Sequence, residues 1–186
     1  QAGLALQIVP GELNATLVYI QSQMKLIESG RAENNLQTWE EVENKLAELE
    51  KRTGGASAVR FLRFQAAIKQ KQFDSAERRL ADLRTDKDWE LEAAMGEAEL
   101  FVVQGKIDEA ISTLYAVNKR FPQAVKPVKY LSGLLVQHRS RDDCEQILKD
   151  AMQSTVEPAA KQELGLLLAN FYDQWEKSPC SSRWEI

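Results

Sequence analysis

The sequence predicts an all-α protein built from antiparallel helix pairs, and three observations carry that prediction. Similar residues recur every 34 positions along much of the chain, which is the pattern of tandem repeats. Apolar side chains within each repeat follow the three-to-four-residue spacing of amphipathic helices. No run of alternating β-branched residues indicates a strand, so we expect little or no sheet.

The repeat is clearest at Asp74, Asp108 and Asp142, which follow one another at intervals of 34 residues. A small residue stands two positions after each aspartate, and apolar residues stand six and nine positions after it. The residues at these positions are Ala76, Ala110 and Cys144, then Leu80, Leu114 and Leu148, then Leu83, Val117 and Ala151. The spacing predicts three consecutive repeats without insertions, over residues 57–90, 91–124 and 125–158.

Each repeat is expected to hold two helices joined by a tight turn. In the middle repeat, Gly105 lies between two amphipathic stretches and suits the left-handed backbone that often follows a helix. Asp108 lies near the start of the second helix, where a carboxylate favours the unpaired amides of the first turn. Proline is costly inside a helix, and every proline lies outside the predicted helix interiors. The five prolines are Pro10, Pro122, Pro127, Pro158 and Pro179.

The residues before these repeats form a less regular helix pair over 12–56. Its first helix is predicted over 12–29. Thr38 to Glu41 resemble a capping box that opens a second helix ending near Arg52. A longer linker than those between the later helices is expected to join the two.

The remaining segments flank these elements. Residues 1–11 are expected to close an earlier repeat, residues 159–176 to form a terminal helix, and residues 177–186 to be a non-helical tail. Gly54 and Gly55 directly follow a predicted helix, and we interpret them as its stop rather than as a nucleotide-binding loop.

With these elements in place, the chain resembles the tetratricopeptide repeat family, whose repeat is also 34 residues long. The repeat 91–124 matches the family at its small, large apolar, turn-glycine and proline positions, with Ala98, Ala110, Phe101, Leu114, Gly105 and Pro122. The resemblance implies a right-handed superhelical solenoid whose stacked helix pairs form an extended concave face.

In that family the concave face is lined by the first helix of each pair and binds an extended peptide or a partner's helix. Carried onto this chain, the resemblance implies a binding face on two successive first helices. Its partner-binding residues would be Met95, Glu99 and Val102, followed by Lys126 and Lys129. Other positions on the same face are Glu92, Val103, Gly133, Val136 and Gln137.

The first helix of the repeat 57–90 fits the family better when displaced by one residue. The displaced register places Val59, Leu62 and Ala66 inward and leaves Arg60 and Arg63 outward. The groove-facing residues of this helix therefore have two alternatives. These are Phe61 with Gln65, or Arg60 with Phe64.

The favoured function is that of a protein-protein interaction module, a scaffold within a larger protein that binds a protein or peptide ligand. The alternative is a structural scaffold that stacks on its own array or self-associates. A remote alternative is an RNA-binding helical repeat, against which both the period and the net charge of −4 speak. No enzyme activity and no cofactor are expected, because no acid, base and nucleophile are spaced to converge.

Few isolated residues suggest chemistry. His138 is interpreted as an exposed turn residue and Cys144 as a packing residue between helices. No metal site is expected from the acidic clusters, and no apolar run is long enough for membrane insertion. The compartment is undetermined, with the cytoplasm slightly favoured, because Cys144 and Cys180 suggest no disulfide framework.

One basic group has two interpretations. It consists of Arg60, Arg63, Lys69, Lys71, Arg78 and Arg79. These side chains could attract a negatively charged partner, or they could form the solvated face of two helices, which is the more common arrangement.

Overall fold

The computed structural model describes residues 10–29, 38–138 and 141–176, which form nine α-helices and no strand. The helices are α1 (Pro10–Glu28), α2 (Trp39–Thr53), α3 (Ser57–Lys69), α4 (Phe73–Leu83), α5 (Glu90–Val103), α6 (Ile107–Arg120), α7 (Val125–Gln137), α8 (Arg141–Ser154) and α9 (Pro158–Glu176). A 3₁₀ turn, Lys87–Trp89, precedes α5. The all-α prediction is confirmed.

The first helix begins earlier than the sequence predicts. Pro10 is its first residue, so the predicted boundary at residue 12 lies two residues too late. Proline suits this position because its missing amide hydrogen would have no partner in the first turn of a helix. The predictions for residues 1–9, for the linker over 30–37 and for the tail 177–186 fall outside the described residues.

The predicted signals at both ends of α2 are confirmed. The Thr38 Oγ1 atom accepts a hydrogen bond of 3.2 Å from the backbone N–H of Glu41 at the start of the helix. At its end, Gly54 adopts a left-handed backbone with φ of 66°. The backbone N–H groups of Gly54 and Gly55 both donate to the Glu50 carbonyl, the second at 2.8 Å, so residues beyond the helix satisfy an acceptor of its last turn.

Two turns that stand 34 residues apart share their backbone geometry. The residues just before α4 and α6, Gln72 and Lys106, have φ and ψ of −86° and 69° and of −88° and 71°. The residues before them, Lys71 and Gly105, are both left-handed, with φ of 58° and 77°. The turn geometry thus follows the sequence period, although only one of the two turns carries the glycine that suits it.

Because of this difference, we expect glycine and lysine substitutions at the two turns to change the free energy of unfolding in opposite directions. Lys71→Gly should stabilise the protein by about 0.5–1 kcal/mol, because a left-handed backbone costs a lysine more than a glycine. Gly105→Lys should destabilise it by a similar amount, since no atom lies within 4 Å of an added Cβ and only backbone strain changes. Urea denaturation followed by circular dichroism measures both, and equal signs would contradict the shared turn geometry.

The chain divides into two compact units, Gln1–Gly105 and Lys106–Ile186. In the first unit, α3 is central and packs against α1, α2, α4 and α5. One face of α3 joins α1 and α2 in an apolar cluster through Val59, Leu62 and Ala66, the three residues that the displaced register places inward. The division between the units falls between the two helices of the predicted repeat 91–124.

The opposite face of α3 packs against α4 and α5. Phe64 is fully buried there, in a cluster that includes Ala76 and Leu80 of α4 and Ala93 of α5. Gly96 of α5 makes the close approach possible, because a Cβ built on it would lie 2.8 Å from the Cε1 atom of Phe64. Alternate helices of the unit, α1 with α3 and α3 with α5, are therefore neighbours.

The second unit repeats this arrangement with α6 to α9. Here α7 packs against α6, α8 and α9, and α8 packs against α9. The small-residue positions are buried, since Ala110 and Cys144 each have an exposed fraction of 0%. The side chains of Leu114, Leu131, Leu148 and Leu164 are also almost completely buried, one from each of the four helices.

Candidate functional site

The candidate site in the second unit is a cleft of about 440 Å³ between α7 and α9. On the α7 side it is lined by Lys129, Gly133, Val136 and Gln137. All four residues belong to the face on which the resemblance implies partner binding. Helix α9 contributes Leu167, Asn170, Phe171 and Gln174, and α8 contributes Cys144 and Leu148.

The cleft is open because α7 carries a glycine at its centre. No atom lies within 4 Å of a Cβ built on Gly133, so the space above the helix is unoccupied by other parts of the chain. Val136, Leu167 and Phe171 supply apolar surface, and the amides of Gln137 and Gln174 supply hydrogen-bonding groups. This combination suits an apolar side chain carried on a polar backbone, as in a peptide or a partner's helix.

Two lysines of α7 lie at or beside this cleft. Lys129 lies on its lining, and its Nζ atom is 3.6 Å from the Glu163 Oε1 atom. Both side chains are more than half exposed, so their attraction is weak and screened by salt. Lys126 is exposed one turn earlier on α7. A ligand carboxylate can therefore compete for these ammonium groups at little cost.

The first unit has its own cleft, of about 320 Å³, on the neighbouring helices α1, α3 and α5. It is lined by Gln21, Met24, Lys25, Glu28, Gln65, Lys69 and Glu99. Of the two alternatives for α3, Gln65 from the first lines the cleft, whereas Phe64 from the second is buried in the core and Phe61 packs against Phe64 and Trp89. The two alternatives could not be separated from the sequence.

The charged side chains of this cleft differ in whether they form an ion pair. The Lys69 Nζ atom is 3.0 Å from the Glu28 Oε1 atom, which forms an ion pair between α3 and α1. Glu99 is partly buried. Burial raises the pKa of its carboxyl group, Lys69 lowers this pKa by a smaller amount, and Glu28 raises it further. The neutral form of Glu99 is therefore more favoured in the folded protein than in a free glutamate.

The five sequence-predicted binding residues are distributed over the two units. Met95, Glu99 and Val102 are partly buried on α5, and of these Glu99 lines the cleft of the first unit. Lys126 and Lys129 are exposed on α7, and Lys129 lines the cleft of the second unit. Only Glu99 and Lys129 therefore line one of the two clefts, each in its own unit, whereas Met95, Val102 and Lys126 line neither of them.

Sequence reasoning missed the contributions of α1 and α9. Met24 and Gln21 line the first cleft, and Leu167 and Phe171 line the second. Both helices were recognised from their apolar spacing, but they fell outside the repeats whose register could be aligned. The signal that could have found them is the position of each helix as the partner of a first helix in the adjacent repeat.

The basic group of α3 and α4 divides: Lys69, Lys71 and Arg78 are exposed, as on a solvated face, whereas Arg63 and Arg79 are partly buried. Arg63 was expected to point outward, but its side chain is only 20% exposed and pairs with Glu50 and Glu43 of α2. Arg79 of α4 lies 3.8 Å from the same Glu43. Burial lowers the pKa of Arg79, and neighbouring Arg63 lowers it further. These cations thus join helices within the unit, because acidic residues of α2 face them.

The Arg63–Glu50 pair should contribute measurably to stability. Its side chains are 20% and 31% exposed, so we expect a coupling of about 1 kcal/mol in a double-mutant cycle of Arg63→Met and Glu50→Met. The control is the Arg52–Glu48 pair, which is 3.9 Å apart and more exposed, and should couple by less than about 0.5 kcal/mol. Equal couplings would contradict the joining role of Arg63.

Two residues remain that the sequence analysis considered for chemistry, His138 and Cys144. His138 is exposed at the end of α7. Cys144 is fully buried, its Sγ atom lies 3.6 Å from the Ser132 carbonyl oxygen, and burial raises the pKa of its thiol to about 11. A thiol of that pKa is a poor nucleophile at neutral pH. Within the described ranges, no three side chains of metal-ligating type come together.

Comparison with known protein families, with curated proteins and with solved structures found no match to this chain. No helix among the described residues has both the length and the apolar character that a membrane span requires.

Proposed function

We propose that this chain is a protein-interaction module, a scaffold of the tetratricopeptide type that binds a peptide or a helix of a partner protein. The observation that carries the proposal is the cleft over Gly133. The α7 face implied by the resemblance lines an open cleft whose other wall is α9. Apolar walls with amide groups and two adjacent lysines suit an apolar side chain flanked by acidic residues.

The packing within each unit also supports the proposal. Alternate helices are neighbours in both units, α1 with α3, α3 with α5, and α7 with α9. Each cleft lies on such a set of neighbouring alternate helices. A solenoid of helix pairs uses this set of helices for its inner layer, on which extended ligands bind.

The test is selection of short peptides from a random display library on the immobilised chain, followed by affinity measurements on the recovered sequences. Gly133→Leu fills the cleft without touching the core, and should weaken binding about tenfold or more at unchanged helix content. Ala116→Leu is the control, since Ala116 is exposed on α6 and does not line the cleft.

Two outcomes would contradict the proposal. Peptides that bind Gly133→Leu as tightly as the unmodified chain would place the binding surface elsewhere. If no peptide were enriched and the mass of the chain in solution increased with concentration, self-association would be the better account.

Reversing charge at Lys126 and Lys129 together should weaken the binding of acidic peptides in particular. The same reversal at Lys119 and Arg120 of α6 should leave that binding unchanged.

A further inference from the structure

The cleft of the first unit contains one carboxylate that no residue in the described parts of the chain pairs. Four charged residues line the cleft, Lys25 and Glu28 from α1, Lys69 from α3 and Glu99 from α5. The 3.0 Å ion pair between Lys69 and Glu28 uses one charge of each sign. Lys25 is exposed and solvated. Glu99 is the remaining charge and is partly buried.

Glu99 makes no hydrogen bond or ion pair within the described residues. A carboxylate that is partly removed from water without a partner is destabilised in its charged form, and the pKa of Glu99 is raised accordingly. Lys69, the positive charge that lowers the pKa of Glu99, is already paired with Glu28. A cation that enters the cleft would contact a carboxylate that is already partly desolvated. Binding would therefore add little to the desolvation cost of Glu99.

We propose that the cleft of the first unit binds a cationic side chain, arginine or lysine, of a partner segment, with the Glu99 carboxylate as its anchor. The inference rests on the proposed function and names the chemistry of one part of the ligand. The amide oxygens of Gln65 and Gln21 can accept hydrogen bonds from further N–H groups of the ligand. Met24 offers apolar surface to the aliphatic stem of the ligand's arginine or lysine.

An anionic ligand fits this cleft poorly. It would approach two carboxylates, Glu28 and Glu99, while Lys69 is engaged with Glu28. Lys25 would be its remaining partner, and an exposed lysine contributes little to affinity. The arrangement of charges therefore selects for a positive group at Glu99 and against a negative one.

The test uses a short acetylated and amidated peptide with one arginine among alanines, titrated into the isotope-labelled chain at low salt. We expect NMR shift changes at the cleft residues of α1, α3 and α5, and a lowered titration midpoint of the Glu99 carboxyl when the peptide is bound. The same peptide with citrulline, which has nearly the same shape but no charge, should bind about fivefold more weakly.

Variants of the chain complete the test. Glu99→Gln should abolish the preference for arginine over citrulline, whereas Glu40→Gln on α2 of the same unit should keep it, because Glu40 is exposed and does not line the cleft. Equal binding of the two peptides by the unmodified chain would overturn the inference, as would an arginine preference that survives Glu99→Gln.

These outcomes are separate from those of the proposed function, which is measured at Gly133 in the second unit. A chain that loses selected peptides on Gly133→Leu but shows no arginine preference contradicts the cationic anchor alone. A chain that shows the arginine preference but enriches no peptide over Gly133 contradicts the proposed function of the second cleft and leaves the anchor standing.

Discussion

Replacing Ala110 by glutamate should destabilise the second unit by several kcal/mol and leave it largely unfolded near physiological temperature. Ala110 has no exposed surface and lies on the buried face of α6, beside Leu114 and Val117. A glutamate there would bury a carboxylate without a partner and would also exceed the available volume. Thermal and urea denaturation followed by circular dichroism measure the loss.

The matched control is the same substitution on the outer face of the same helix. Ala116 is exposed on α6, so Ala116→Glu should change the free energy of unfolding by less than about 0.5 kcal/mol. Both variants have the same helix propensity change and the same added charge. Equal melting temperatures for the two variants would mean that the buried face of α6 has been assigned wrongly.

Replacing Gly96 by alanine should destabilise the first unit by about 1–3 kcal/mol, although alanine is the better helix former. The added Cβ would lie 2.8 Å from Cε1 and 3.0 Å from Cζ of Phe64, and 3.2 Å from Cδ1 of Leu80. Phe64 is fully buried and cannot move aside without displacing its neighbours. Urea denaturation gives the change in the free energy of unfolding.

Two companion variants separate this crowding from any general effect of the substitution. Gly133→Ala should stabilise the protein by about 0.5–1 kcal/mol, because its added Cβ meets nothing within 4 Å and only helix propensity changes. Phe64→Leu should partly relieve Gly96→Ala, so the double variant should lose less than the sum of the single losses. Additive losses would contradict the close approach of Gly96 to Phe64.

The local structure of this chain was largely determined by its sequence. Backbone preferences and contacts within a few residues determine that the elements are helical. They also determine the cap of α2 at Thr38 and its end at Gly54. The small residues at Ala76, Ala110 and Cys144 recur at the repeat period, and all three are fully buried. Such a pattern can be read from one chain because each repeat supplies a comparison for the next.

The candidate site was only partly predictable for the same reason. Lys129 and Glu99 lie on helices whose register the repeat defines, and both line a cleft. Gln65 and Phe64 are adjacent in sequence, and a displacement of one residue exchanges the groove for the core. The 34-residue spacing could not decide between them, because the first helix predicted over 57–90 fits it in two registers.

What the tertiary structure alone decided are the contacts between helices that are distant in sequence. Arg63 was expected in solvent from its place on α3, yet it pairs with Glu50 and Glu43 because α2 presents acidic residues to that face. The walls supplied by α1 and α9 depend in the same way on which helices become neighbours. Helical periodicity specifies which face of a helix is apolar, whereas the partner of a polar residue depends on the packing of whole helices, which no single helix encodes.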